Sequence, residues 1–218
     1  MKRNTMQRII CAGGLFLAFA LFTCLVARFD VQPIGPEGTW VGFATVNQFI
    51  VQRLGAHRFW YGLTRWMGAA AVLVAGGFGV AGLCQLIRRK NIKKVDRRIL
   101  ALGAVYALMA AFYLLFEVVV INCRPVIVEG GPEASYPSSH VLLVVCIMAT
   151  TAKQIRARWP DRRGVCRWAD RAALLLGGLT ALGRLASGVH WFTDIVGGVL
   201  LAAALTALYD VFAGSEDH

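Results

Sequence analysis

Residues 99–121, ILALGAVYALMAAFYLLFEVVVI, carry one ionisable side chain, Glu117. A run of that length matches the roughly 20 apolar residues that a helix needs to cross a hydrocarbon core. Working outward from it, the same reading gives further spans. They are expected at about 9–27, 66–87, 138–155, 172–189 and 191–209. The 218-residue chain therefore reads as an all-α integral membrane protein with six transmembrane helices, a single domain over 1–218. Composition agrees: 57% of residues are hydrophobic and 16% charged, and the mean hydropathy is +0.59. A soluble domain carries about a quarter charged residues, and a disordered chain is poorer still in apolar ones. The first span follows Lys2, Arg3 and Arg8 as a signal peptide would. It is long for that role and no small-x-small cleavage site follows it before Arg28 and Asp30, so it reads as a retained helix. Cys11, Cys24, Cys84 and Cys146 lie inside apolar runs as small hydrophobes, and Cys123 and Cys166 have no zinc-ligand spacing.

Charge then orients the chain. Lys and Arg number 23 against 12 Asp and Glu, a formal +11. Arg88, Arg89, Lys90, Lys93, Lys94, Arg97 and Arg98 fill the connection between the second and third spans. Lys153, Arg156, Arg158, Arg162, Arg163, Arg167 and Arg171 fill that between the fourth and fifth. The positive-inside rule places these loops and both termini in the cytoplasm. The charge is thus topological; it calls for no nucleic acid, but it suits anionic lipid headgroups as partners. Between the first two spans, residues 42–54 turn periodic: Phe43, Val46, Ile50 and Leu54 share a face, with Asn47, Gln48, Gln52 and Arg53 around it. The spacing predicts an amphipathic helix on the outer leaflet or a packed extracytoplasmic lid.

Ionisable residues at the ends of apolar helices are costly and by default functional. Here they are Glu117, Arg124, His140, Arg184, His190 and Asp194, and the parity of the spans brings Arg124, His140, Arg184, His190 and Asp194 to the outer side. Two arginines suit a phosphate group. Ser138 reads as a helix N-cap, with the N–H groups after it forming an anion site. His190 and Asp194, at i and i+4, share a helical face; a carboxylate on one ring nitrogen leaves the other free as a nucleophile or base. His140, on another helix, is placed to protonate a leaving oxygen. Metal ligation by His140, His190 and Asp194 is the competing use, but the arginines would repel a cation. Asp194 has the further alternative of neutralising Arg184, and either arginine that of snorkelling to headgroups. His57 and His218 read as structural. Glu129 and Glu133, in a Gly-Gly-Pro loop, read as solvated, with gating of the entrance as the alternative.

Arg124-Pro125, Pro137-Ser138-Ser139-His140 and Arg184 followed by His190 and Asp194 resemble the type 2 phosphatidic acid phosphatase (PAP2) family, whose pattern is K-x6-R-P, P-S-G-H and S-R-x5-H-x3-D. The resemblance implies a six-helix membrane core and metal-independent hydrolysis of lipid phosphates at the outer surface, without a cofactor. It makes His190 the nucleophile and His140 the general acid, with Asp194 orienting His190 and Arg124, Arg184, Ser138 and Ser139 around the phosphate. Ser139 stands for a Gly, Gly183 for a Ser, and Glu117 for the Lys, a reversed charge. Pairing of Glu117 with Arg124 or Arg184 is expected. The implied protein is a lipid phosphatase of a bacterial cytoplasmic membrane acting on phosphatidate, phosphatidylglycerophosphate or undecaprenyl pyrophosphate through a phosphohistidine. A catalytically silent lipid-phosphate binding or transport protein, and a lipid phosphotransferase, are the alternatives.

Overall fold

A computed structural model describes residues 2–128 and 130–214, so Glu129 and His218 lie outside the described residues. Seven α-helices form among them: α1 (Lys2–Arg28), α2 (Ala44–Leu54), α3 (Arg58–Arg89), α4 (Arg97–Val118), α5 (Ser139–Arg158), α6 (Arg163–Ala186) and α7 (Phe192–Ala213). Local chemistry explains their limits. Asp96 caps α4 by accepting the Arg98 N–H at 2.9 Å, α2 stops at Gly55 with φ 68°, and Pro125, Pro132 and Pro137 keep the α4–α5 connection out of helix.

Among the described residues five helices are long and apolar enough to cross a membrane: the α1 stretch Thr5–Arg28, α3, α4, α5 and α7. The expected span at 172–189 falls in α6, which begins with a charged segment and turns its polar and small residues inward. Thr180 and Arg184 are buried there, while Leu174 is 79% and Leu182 66% exposed. Such an outward apolar face suits lipid, and the protein is a multi-pass membrane protein. Several boundaries differ from expectation, α1 beginning at Lys2 and α6 running Arg163–Ala186 among them, and two bear on the site. α3 begins at Arg58, well before residue 66, because the aromatic segment Phe59–Tyr61 continues the helix beyond the apolar core. α4 ends at Val118, so Arg124 sits in a loop and not two helical turns after Glu117.

The residues of α2 are amphipathic in an unexpected sense. Asn47 is fully buried, while Val46, Phe49 and Leu54 are exposed. Its amide reaches Thr193 at the start of α7, donating to Oγ1 at 2.9 Å and accepting from N at 3.2 Å. One amide, Asn47, therefore faces the protein together with Ala44, while Gln48, Gln52 and Arg53 share the outside with Val46, Phe49 and Leu54. Gly42, just before it, approaches the α1 backbone so closely that a Cβ would overlap the Val26 carbonyl.

The segment leading into α5 is held by an aromatic cluster. Tyr136 packs edge-on to Phe116 with centroids 5.8 Å apart, stacks on Phe19 at 6.4 Å, and hydrogen-bonds Thr23 Oγ1 at 2.8 Å. Gly197 of α7 makes room for the ring; a Cβ there would lie 2.6 Å from it. Burial of such a ring is worth about 3–5 kcal/mol by the cost of truncating it. It fixes Pro137 to His140 against α7, where Asp194 begins its first turn.

Candidate active site

Four segments meet at one end of the bundle: the α4–α5 loop, the start of α5, the end of α6 and the start of α7. His190, between α6 and α7, is 1% exposed. Its Nε2 lies 3.1 Å from Arg184 Nη2, and its Nδ1 lies 3.5 Å from Asp194 Oδ2. A guanidinium only donates, so Nε2 is the unprotonated nitrogen and the ring proton sits on Nδ1, toward the carboxylate. Burial pushes the imidazole down to about 4; Asp194 opposes that shift and the Arg184 charge adds to it. His190 is thus neutral, with its basic nitrogen turned to the cation.

Asp194 is tied down more firmly by other groups than by His190. Its Oδ2 accepts the Trp191 N–H at 2.9 Å and its Oδ1 accepts Asn122 Nδ2 at 3.2 Å. Asn122 is itself fixed, since its Oδ1 accepts the Gly42 N–H at 3.1 Å. The Trp191 indole donates to the Cys123 carbonyl at 2.6 Å, fastening the α4–α5 loop to α7. This Asn47–Thr193–Asn122–Asp194 network escaped the sequence reading. Its signal was present, a lone amide in the apolar run before Arg124, but an amide in a loop has many uses and only contact selects one.

The expected phosphate ligands converge with one reassignment. Arg184 is 1% exposed; its Nε and Nη1 have no hydrogen-bond partner among the described residues, and its Cζ lies 5.4 Å from the Tyr61 ring centroid. Ser138 occupies the N-cap position of α5, yet its side chain caps nothing and its buried Oγ is without a partner among the described residues. Its own N–H is held by the Asp194 carbonyl at 2.9 Å. Arg124 pairs through Nε with Glu133 at 2.8 Å, correcting the expectation that Glu117 takes an arginine and that Glu133 is merely solvated. The reason is the early end of α4: the loop folds back, with Arg124 N–H on the Glu133 carbonyl at 2.9 Å. Glu117 instead shares a cavity wall with Tyr113, one turn earlier on α4.

Glu117, Arg124, Ser139, His140 and His190 line a cavity of about 140 Å³, with Tyr113 and Pro137 among its other walls. Tyr113, Ser139, His140 and Leu142 also border an apolar groove of about 410 Å³ between α3 and α4, continued by Gly68, Ala69, Val72 and Met109. Among the described residues no group of three or more His, Cys, Asp or Glu is placed to hold a metal ion.

One end of this multi-pass helical bundle thus holds two histidines, a buried guanidinium without an acidic partner among the described residues and, at a helix start, a hydroxyl without a partner among them. The PAP2 superfamily model matches residues 98–214, more than half of the chain, and the chain belongs to that superfamily. The crystal structure of a transmembrane PAP2-type phosphatidylglycerolphosphate phosphatase from Bacillus subtilis has the same fold. Its TM-score is 0.64 at 17% identity, over 92% of this chain and 94% of that one. No curated protein sequence matches.

Proposed function

We propose that this protein hydrolyses a lipid phosphate at the outer face of a bacterial cytoplasmic membrane, without metal and through a phosphohistidine. The observation that carries the reading is the Arg184 Nη2 to His190 Nε2 approach of 3.1 Å, beside a carboxylate-facing Nδ1. A phosphate dianion is a stronger acceptor than imidazole, so it draws the guanidinium to itself and frees the Nε2 lone pair. The remaining donors of Arg184, Arg124, the Ser138 hydroxyl and the first N–H groups of α5 surround the phosphoryl oxygens. Nε2 then attacks phosphorus in line as the bond to the lipid oxygen breaks, and His140 gives that oxygen its proton. In the second step His140 takes a proton from water, whose oxygen displaces His190 and releases phosphate. The groove between α3 and α4 is apolar where a lipid tail has to lie, and it joins the cavity at His140. Membership of a phosphatase superfamily supports the reaction class, and the basic loops at the opposite end of the bundle support the orientation.

The test is phosphate release from purified phosphatidate, phosphatidylglycerophosphate and undecaprenyl pyrophosphate in neutral detergent with excess chelator. Release in chelator, lost in His190→Ala, is the expected outcome. Activity that requires an added divalent ion, or that survives in His190→Ala, overturns it. Transfer of the phosphoryl group to a lipid acceptor in place of water would identify a phosphotransferase.

A further inference from the structure

Arg58, Tyr61 and Arg65 follow one another along one face of α3, at its outer end. With Gly62, Trp66 and Ala69 they line a groove of about 480 Å³ that contains no carboxylate. Among the described residues neither Arg58 nor Arg65 has an acidic partner within ion-pairing distance. Arg65 is not remote from the catalytic groups. Its Cζ lies 5.7 Å from the centroid of the Tyr61 ring, and the same ring has Arg184 at 5.4 Å.

Continuity gives this groove its meaning. Ala69 borders both the arginine groove and the apolar groove that runs on past Val72 to His140. The arginine groove therefore opens, at Ala69, beside the path of a lipid whose tail lies in the apolar groove and whose reacting phosphate lies at His190. Two guanidinium groups on one ring, with that of Arg58 lining the same groove, repel each other unless an anion lies among them. The reacting phosphate already has Arg184, Arg124 and the start of α5. Nothing in that set accounts for Arg65 and Arg58.

The geometry points to Arg65, backed by Arg58, as the seat of a second, non-reacting phosphate of the substrate. This rests on the lipid phosphatase reading and narrows it to lipids with two phosphates. The second group is either the lipid-linked half of a diphosphate or a diester phosphate joined through a polyol, and the recognising chemistry is the same for both.

The experiment compares kcat/KM on phosphatidate, phosphatidylglycerophosphate and undecaprenyl pyrophosphate in neutral detergent micelles, which present no anionic lipid surface. Arg65→Gln is expected to lower kcat/KM on the two-phosphate lipids about tenfold more than on phosphatidate, mainly through KM, as loss of one charge-assisted contact implies. Arg65→Lys should recover part of the difference, and Arg58→Gln should show a smaller one. A differential loss on the diphosphate alone, or on the glycerol-linked substrate alone, says which source the site serves. An equal loss on all three lipids, or none, overturns the proposal. Should the parent release no phosphate from any lipid, the phosphatase reading fails while this one is still tested by thermal-shift titration. Inorganic pyrophosphate should then bind more tightly than phosphate, with the preference lost in Arg65→Gln. No preference, or one indifferent to the substitution, refutes it.

Discussion

Asn122→Leu removes an amide while keeping much of its volume, and it tests whether Asp194 owes its alignment to that amide. The amide contributes one hydrogen bond to a charged group, from Nδ2 to Asp194 Oδ1 at 3.2 Å. Bonds to charged groups are worth about 1.5–3 kcal/mol, and this one is long, which places it near the low end. If that energy aligns Asp194 in the transition state, kcat falls about ten- to thirtyfold, at about 1.4 kcal/mol per decade. Folding suffers separately, since the Gly42 N–H loses its acceptor and a buried orphan donor costs about 1–3 kcal/mol. The two effects are resolved by a double-mutant cycle. In an Asp194→Asn background, Asn122→Leu should change kcat by less than about threefold, because the group it acts through has already been altered. The assay is steady-state phosphate release, with a melting curve for each of the four proteins to remove inactive material. Full additivity in kcat would show that Asn122 does not act through Asp194.

Four further outcomes follow from the same geometry. His190→Ala should abolish phosphate release in a folded protein, while Asp194→Asn retains a residual rate because the nucleophile remains; equal rates for the two would exclude those roles. His140→Ala should slow hydrolysis of an alkyl phosphate far more than that of a nitrophenyl phosphate, whose leaving group needs little protonation, and equal losses would deny it the acid role. Protonation blocks attack by His190, whose burial holds it down to about 4, so kcat/KM should fall only as pH drops well below the ordinary histidine value of about 6.5; an acid limb at the ordinary value would contradict this. Glu117→Gln should raise kcat/KM about three- to tenfold, because a carboxylate in the cavity wall without an arginine partner among the described residues opposes a dianionic substrate; a fall would mean that the carboxylate aids the reaction.

Glu117 also shows where reading along the chain runs out. Its separation from Arg124 suggested two turns of one helix, and that inference required α4 to continue. α4 ends at Val118, and Arg124 is carried by the loop to Glu133. Asn47 fails the sequence reading in a different way. Amphipathicity identified the helix Ala44–Leu54 but left its partner open. A buried Thr193 draws the single amide of Asn47 inward, and the exposed Val46 and Phe49 take the outside with Gln48, Gln52 and Arg53.

By itself the sequence determined that the chain is a membrane-embedded helical protein, because an apolar run of some 20 residues has few other stable states. It also singled out the candidate site residues. His140, Arg184, His190 and Asp194 stand out wherever they fold, since ionisable groups beside apolar helices are expensive to keep. Only the tertiary structure decided who touches whom. The tautomer of His190 follows from a 3.1 Å approach by Arg184, the Asp194 alignment from Asn122 and the Trp191 backbone, and the position of Arg65 from sharing the Tyr61 ring. Those relations join residues from different helices and loops. Hydrophobic periodicity fixes a helix and its apolar face, but hydrogen bonds act over about 3 Å and depend on how separate segments come to rest against one another.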